Sequence, residues 1–199
     1  DVERSRGLGD VYKRQGLWDV VFLFGVQLPW YTGMPGHLWQ QSICWVFILL
    51  SGFCLPLGHH PVKRGAMVFG CGALVTAVTL IFMPADVVWF GVLTLLGSAM
   101  IITGLLEKWL EKVPPVVGLA GSFFLFYFTR HAADGYLQLG HWLITPPGFL
   151  YANYFTAYLG FYPFGFFSAD YFPLIPWLFL FWTGFYPVSY THLTLPTKR

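Results

Sequence analysis

Titratable side chains are scarce in this chain, and their positions narrow the chemistry open to it. His37, in Met34-Pro-Gly-His-Leu-Trp-Gln-Gln41, stands just ahead of an apolar run. Imidazoles titrate near working pH, so a histidine there suits a general base acting on an amine or hydroxyl. Asp19 lies within an apolar run, and Asp170 lies in Ser168-Ala-Asp-Tyr-Phe-Pro-Leu-Ile-Pro-Trp177; either carboxylate can orient or charge such a histidine. Lys63 and Arg64, after His59 and His60, suit the phosphates of a cofactor. Arg130 and His131, with Asp134 and His141 beyond, suit an anionic or sugar substrate.

The same residues also have plainer roles. His37 can be a helix-entry histidine, Asp170 and Asp86 can cap helix starts, and Asp19 can be a polar group satisfied by a neighbouring helix. Arg130 and His131 can snorkel to an interface, and the basic pair at 63–64 can simply set topology. No GxSxG, HExxH, glycine-rich phosphate loop or CxxC occurs between residues 16 and 187. Cys44, Cys54 and Cys71 sit in apolar runs without metal-ligand spacing and read as buried thiols; no metal is expected.

The elements that must position these groups are membrane helices. The chain is 199 residues long, 56% hydrophobic, 21% aromatic and 10% charged. Soluble domains are about 25% charged. An ordinary water-soluble enzyme is thereby excluded, and a formal net charge of +2 offers nucleic acid no basic field. Crossing a bilayer takes roughly 20 apolar residues per helix. Six segments meet or approach this: Leu17 to Val26, Trp39 to Leu57, Ala66 to Met83, Val87 to Leu106, Val116 to Phe128 and Phe172 to Tyr186. Continuous apolar runs without strict alternation exclude a barrel. The expected fold is all-α, a polytopic transmembrane bundle of about six helices, some truncated.

Both ends read as foreign. Asp10-Val-Tyr-Lys-Arg-Gln15 is the translation of GAT GTG TAT AAG AGA CAG, a transposase end used in sequencing libraries, and its reverse complement gives Val188-Ser-Tyr-Thr-His-Leu193. Residues 1–15 and 188–199 are therefore expected to be adapter translation, and 16–187 a fragment of one integral membrane domain. Without Arg4, Arg6, Lys13, Arg14, Lys198, Arg199, Asp1, Glu3 and Asp10, five basic residues face six acidic ones, a net charge of −1.

Lys63, Arg64, Lys108 and Lys112 lie in two connections on one side, against Arg130 alone on the other. The positive-inside rule puts the two basic connections in the cytoplasm. Residues 27–38, the Pro84-Ala-Asp86 turn and 131–170 then lie outside. The long outer stretch, with Pro146-Pro147-Gly148, Tyr151, Tyr154, Tyr158, Tyr162 and Phe166, has the composition of an interfacial cap.

Trp45-Val-Phe-Ile-Leu-Leu-Ser-Gly52, Lys63-Arg-Gly65, Phe90-Gly-Val-Leu-Thr-Leu-Leu-Gly97 and Asp170-Tyr-Phe-Pro-Leu-Ile-Pro-Trp177 together resemble, in order, the bacterial branch of the heparan-α-glucosaminide N-acetyltransferase catalytic-domain family. The resemblance implies a polytopic membrane protein that moves acetyl from cytoplasmic acetyl-CoA to an amine on the far side of the membrane. It sets His37 in an outer loop comparable to the one bearing the family's active histidine. Many relatives read Phe-Gly-x-Leu-His where this chain ends in Thr94, and the Asp-x-x-Arg-Gly element expected before Leu17 is absent.

The function expected is that of a fragment of a membrane acyltransferase, itself inactive. Acetyl-CoA would enter near Lys63 and Arg64, and an amino or hydroxyl group of an extracytoplasmic glycan would accept the acetyl. His37 or a histidine before Leu17 would be the base, Asp19 or Asp170 the orienting carboxylate, and Arg130 and His131 the acceptor contacts. A reading from another class is a transporter or lipid-handling protein without covalent chemistry; inverted repeats would mark it, and none is visible.

Overall fold

A computed structural model describes residues 34–139, 142–151, 153–163 and 165–194. The chain divides into two units, 1–44 and 45–199. The described part of the first is the opening of helix α1 (Met34–Cys54), where Pro35 occupies the first turn, a position at which its missing N–H costs nothing.

In the second unit α1 continues and is followed by α2 (Pro61–Phe82), α3 (Val92–Leu110) and α4 (Pro115–Thr129). Prolines open α2 and α4, and Lys108 sits in the last turn of α3, where a cation suits the helix dipole. A small antiparallel hairpin follows, β1 (Leu137–Leu139) with β2 (Trp142–Ile144), pairing Leu137 with Ile144. After it come a short 3₁₀ turn (Gly148–Tyr151), the short helix α5 (Tyr154–Leu159) and the last helix α6 (Leu174–Thr194), whose Ile175 is extended and precedes a cis peptide bond to Pro176.

Small residues bring the helices together. α2 and α3 run antiparallel: a Cβ on Gly65 would lie 2.8 Å from the Gly97 carbonyl, and one on Gly104 would lie 2.9 Å from Pro61. At the α1–α6 crossing, a side chain at Gly52 would overlap the Phe181 carbonyl and one at Gly184 the Leu49 carbonyl. α4 packs on α6 with Gly118 beneath the Tyr186 ring. The core at these contacts holds Ile48, Leu95, Phe126, Leu180 and Phe181, with Trp45 edge-on to Phe126 at 5.2 Å. Gly121, also on α4, faces open space instead.

Burial separates the helices by role. Only 11% of the apolar span of α2 is buried, against 44% for α3. Leu74, Val78, Ile81 and Phe82 on α2, and Val116, Val117 and Phe123 on α4, are exposed. Water does not tolerate so continuous an apolar surface, and lipid does. The all-α membrane bundle expected from the sequence is the fold observed.

Its boundaries shift. The helix expected from Trp39 begins at Met34, because Pro35 is acceptable in a first turn. The one expected from Val87 begins at Val92, because the chain after Pro84-Ala-Asp86 is non-helical as far as Gly91, with Phe90 left-handed. Leu17 to Val26 lies outside the described residues. Cys54 and Cys71, expected to be buried, are exposed on apolar helix surfaces.

Candidate functional site

Two irregular segments meet where α3 begins. Residues 87–91 return from the end of α2, and residues 168–173 lead into α6. Pro173 disfavours a helical Phe172, and the positive φ of Phe90 (54°) turns the chain into Gly91. The two segments tie to each other through the backbone: Ala169 N–H donates to the Val87 carbonyl (3.0 Å) and Phe172 N–H to that of Phe90 (2.9 Å). Ser168 Oγ accepts the Trp89 N–H at 2.9 Å and shares its own proton between the carbonyls of Trp89 and Asp170. Val88 N–H donates to Thr79 Oγ1 on α2. Backbone that is not helical can lie at membrane depth only when its polar groups are satisfied in this way.

Asp170 completes the arrangement. Its Oδ2 accepts the Val92 N–H at 3.1 Å, so it caps α3 and not the helix it precedes in sequence. This corrects the simpler expectation for Asp170, that of capping the last helix: the extended backbone through Ile175 separates it from the helical turns of α6. Among the described residues no cation or histidine is bonded to it. A cavity of about 100 Å³ adjoins the carboxylate, lined by Gly72, Val75, Val88, Gly91 and Thr94 among others. Glycine keeps it open, since a Cβ on Gly91 would meet Asp170 Oδ2 at 2.8 Å and one on Gly72 would meet Thr94 Oγ1 at 2.6 Å.

The depth of this cavity follows from α2. Gly72 and Val75 line it and precede the helix end at Phe82. At 1.5 Å per residue they lie roughly 10–15 Å inside that end, in a helix about 33 Å long. Asp170 therefore lies inward of the helix end at Phe82; the non-helical return from Pro84 carries the site there.

The other expected site residues are dispersed. Lys63 is exposed, and Arg64 folds back over the Gly58 turn, at the opposite end of α2 from Pro84, beside exposed His59 and His60. Arg130 lies 5.1 Å from the Trp45 ring centre, a cation–π contact. His131 Nδ1 meets Asp134 Oδ2 at 3.0 Å, and its ring stacks on Tyr136. His37 falls in the first turns of α1 rather than in the expected loop, and Asp19 and His141 lie outside the described residues. Among the described residues no cluster suited to a metal ion occurs.

The sequence model described as heparan-alpha-glucosaminide N-acetyltransferase, catalytic, matches residues 14–197. The chain belongs to this family. No curated protein and no solved structure matches it. The heparan-alpha-glucosaminide N-acetyltransferase family is one of membrane acetyltransferases, and α2 and α3 are each long and apolar enough to cross a membrane.

Within this family member, several groups beside the first turns of α3 escaped sequence reasoning. Tyr158 donates to Ser98 Oγ at 2.5 Å, and Ser98 donates to the Thr94 carbonyl at 2.6 Å. Phe90 packs on Tyr158 at 5.3 Å. Thr94 is buried at the cavity. Serine and tyrosine in apolar runs gave no periodic signal; the proline-flanked Ser168-x-Asp170 was the one local cue. Farther out, Tyr151 donates to the Ala132 carbonyl at 2.9 Å. Burial foremost, and Tyr162 second, raise its phenol above the ordinary range, so it stays a donor.

Proposed function

We propose that this protein derives from an acetyltransferase that takes acetyl from cytoplasmic acetyl-CoA and delivers it to an amino or hydroxyl group of an extracytoplasmic glycan. The family match over residues 14–197 carries the reading. Lys63 and Arg64, at one end of α2, are the proposed contacts for the phosphates of the donor, and Arg130 and His131, at the other end of the bundle, for the acceptor. His37 is the proposed base, with Asp19 or Asp170 as orienting carboxylate. In the step itself the acceptor nitrogen or oxygen bonds to the acetyl carbon, the thioester C–S bond breaks, and the acceptor proton passes by way of the base to the CoA thiolate.

Thermal unfolding of the protein with and without CoA tests the donor side, because a ligand that binds only the folded state raises apparent stability. A saturable rise in Tm that weakens in Lys63→Ala/Arg64→Ala is expected. No rise at millimolar CoA contradicts the reading. The native stretch is proposed to be 16–187 in a bacterial cytoplasmic membrane. A genomic reading frame that departs from this chain on either side of that stretch supports the partition, and one that continues through it refutes it.

A further inference from the structure

The cavity beside Asp170 joins three features: a carboxylate, a position well inside the span of α2, and walls kept back by glycine. One carboxylate oxygen is taken by the Val92 N–H, and the other has no bonded partner among the described residues. The start of α3 contributes roughly half a positive charge, which offsets only part of the carboxylate and leaves the cavity negative. A negative group at such depth calls for a cationic or proton-donating partner. The remaining lining is small or apolar, apart from the Thr94 hydroxyl.

The cavity, about 100 Å³, is small, and it has room for a methylene-ammonium head.

We propose that this cavity binds a primary ammonium group, with Asp170 as its counter-ion and Thr94 Oγ1 as a second acceptor. The proposal rests on the acetyltransferase reading for its biological meaning: the ammonium is that of the acceptor, held by its head while the ring stays outside. Asp170 is then an acceptor-binding residue as well as the cap of α3, which leaves Asp19 as the proposed orienting carboxylate.

The test is thermal unfolding of the full chain in detergent, titrated with methylammonium chloride, with tetramethylammonium chloride at equal ionic strength as control. The expected result is a saturable rise in Tm with methylammonium alone, since the tetramethyl ion donates no hydrogen bond. Affinity falls at least tenfold in Asp170→Asn, whose amide oxygen still caps Val92, and in Gly91→Ala, whose methyl enters the cavity. It is unchanged in Gly121→Ala, which points into open space. Equal responses to the two ions, or full retention in Asp170→Asn and Gly91→Ala, overturn the proposal. Stabilisation by CoA without any by methylammonium refutes the ammonium site and leaves the acetyltransferase reading standing. Stabilisation by methylammonium without any by CoA supports the site and removes that reading.

Discussion

The α1–α6 crossing and the joined segments 87–92 and 168–172 solve one problem in opposite ways. Each brings together stretches distant in sequence within an apolar medium. At the crossing, both partners are helices whose backbone groups are already bonded internally, so Gly52 and Gly184 need only remove side chains and let the backbones touch. In the joined segments the backbone is extended, and each exposed N–H has to find a partner: a carbonyl across the gap, the Ser168 hydroxyl or the Asp170 carboxylate. Among the described residues, no buried side-chain nitrogen or oxygen lacks a hydrogen bond. The crossing supplies shape. The joined segments place a charged group where helices alone would not carry one.

Substitutions separate the two solutions. The largest loss is expected at the crossing: Gly52→Leu drives a side chain into the Phe181 backbone, which cannot move aside as a side chain would. Overpacking of this kind costs on the order of 3 kcal/mol or more, read as loss of the folded state in thermal unfolding in detergent. Next is Asp170→Ala, which leaves the Val92 N–H without its acceptor and should cost about 2 kcal/mol, whereas Asp170→Asn should cost less than about half of that. A cost as large for Asn as for Ala would show that the charge, and not the cap, holds the joint. Smaller still is Trp182→Phe. It removes a 2.9 Å hydrogen bond to the buried Thr103 hydroxyl and should destabilise by about 1 kcal/mol in the same assay.

The sequence made the helices legible because lipid writes them in composition: runs such as Ala66 to Met83 need no partner to be recognised. The same runs set Lys63 and Arg64 at the end of α2 opposite Pro84. The sequence did not reveal the return from Pro84 to Gly91. Val87, Val88, Trp89 and Phe90 are as apolar as the helix that follows them, and the hydrogen bonds that hold this stretch out of a helix come from residues nearly eighty positions away. For the same reason Asp170 was visible as a carboxylate and its partner was not. The roles of Thr94 and Ser98 were hidden because a hydroxyl inside an apolar run has no periodicity of its own.

The depth of the joint decides what Asp170 can do. Nitroxide labels at Leu93, in the first turn of α3, and at two exposed reference sites on α2, Leu74 and Phe82, in protein with Cys44, Cys54 and Cys71 replaced by serine and reconstituted in bilayers, give that depth from the ratio of oxygen to water-soluble nickel relaxation. Depth at Leu93 matching Leu74, near the middle of α2, is the result required. A value matching Phe82 would put Asp170 and its cavity at the membrane surface and contradict the account.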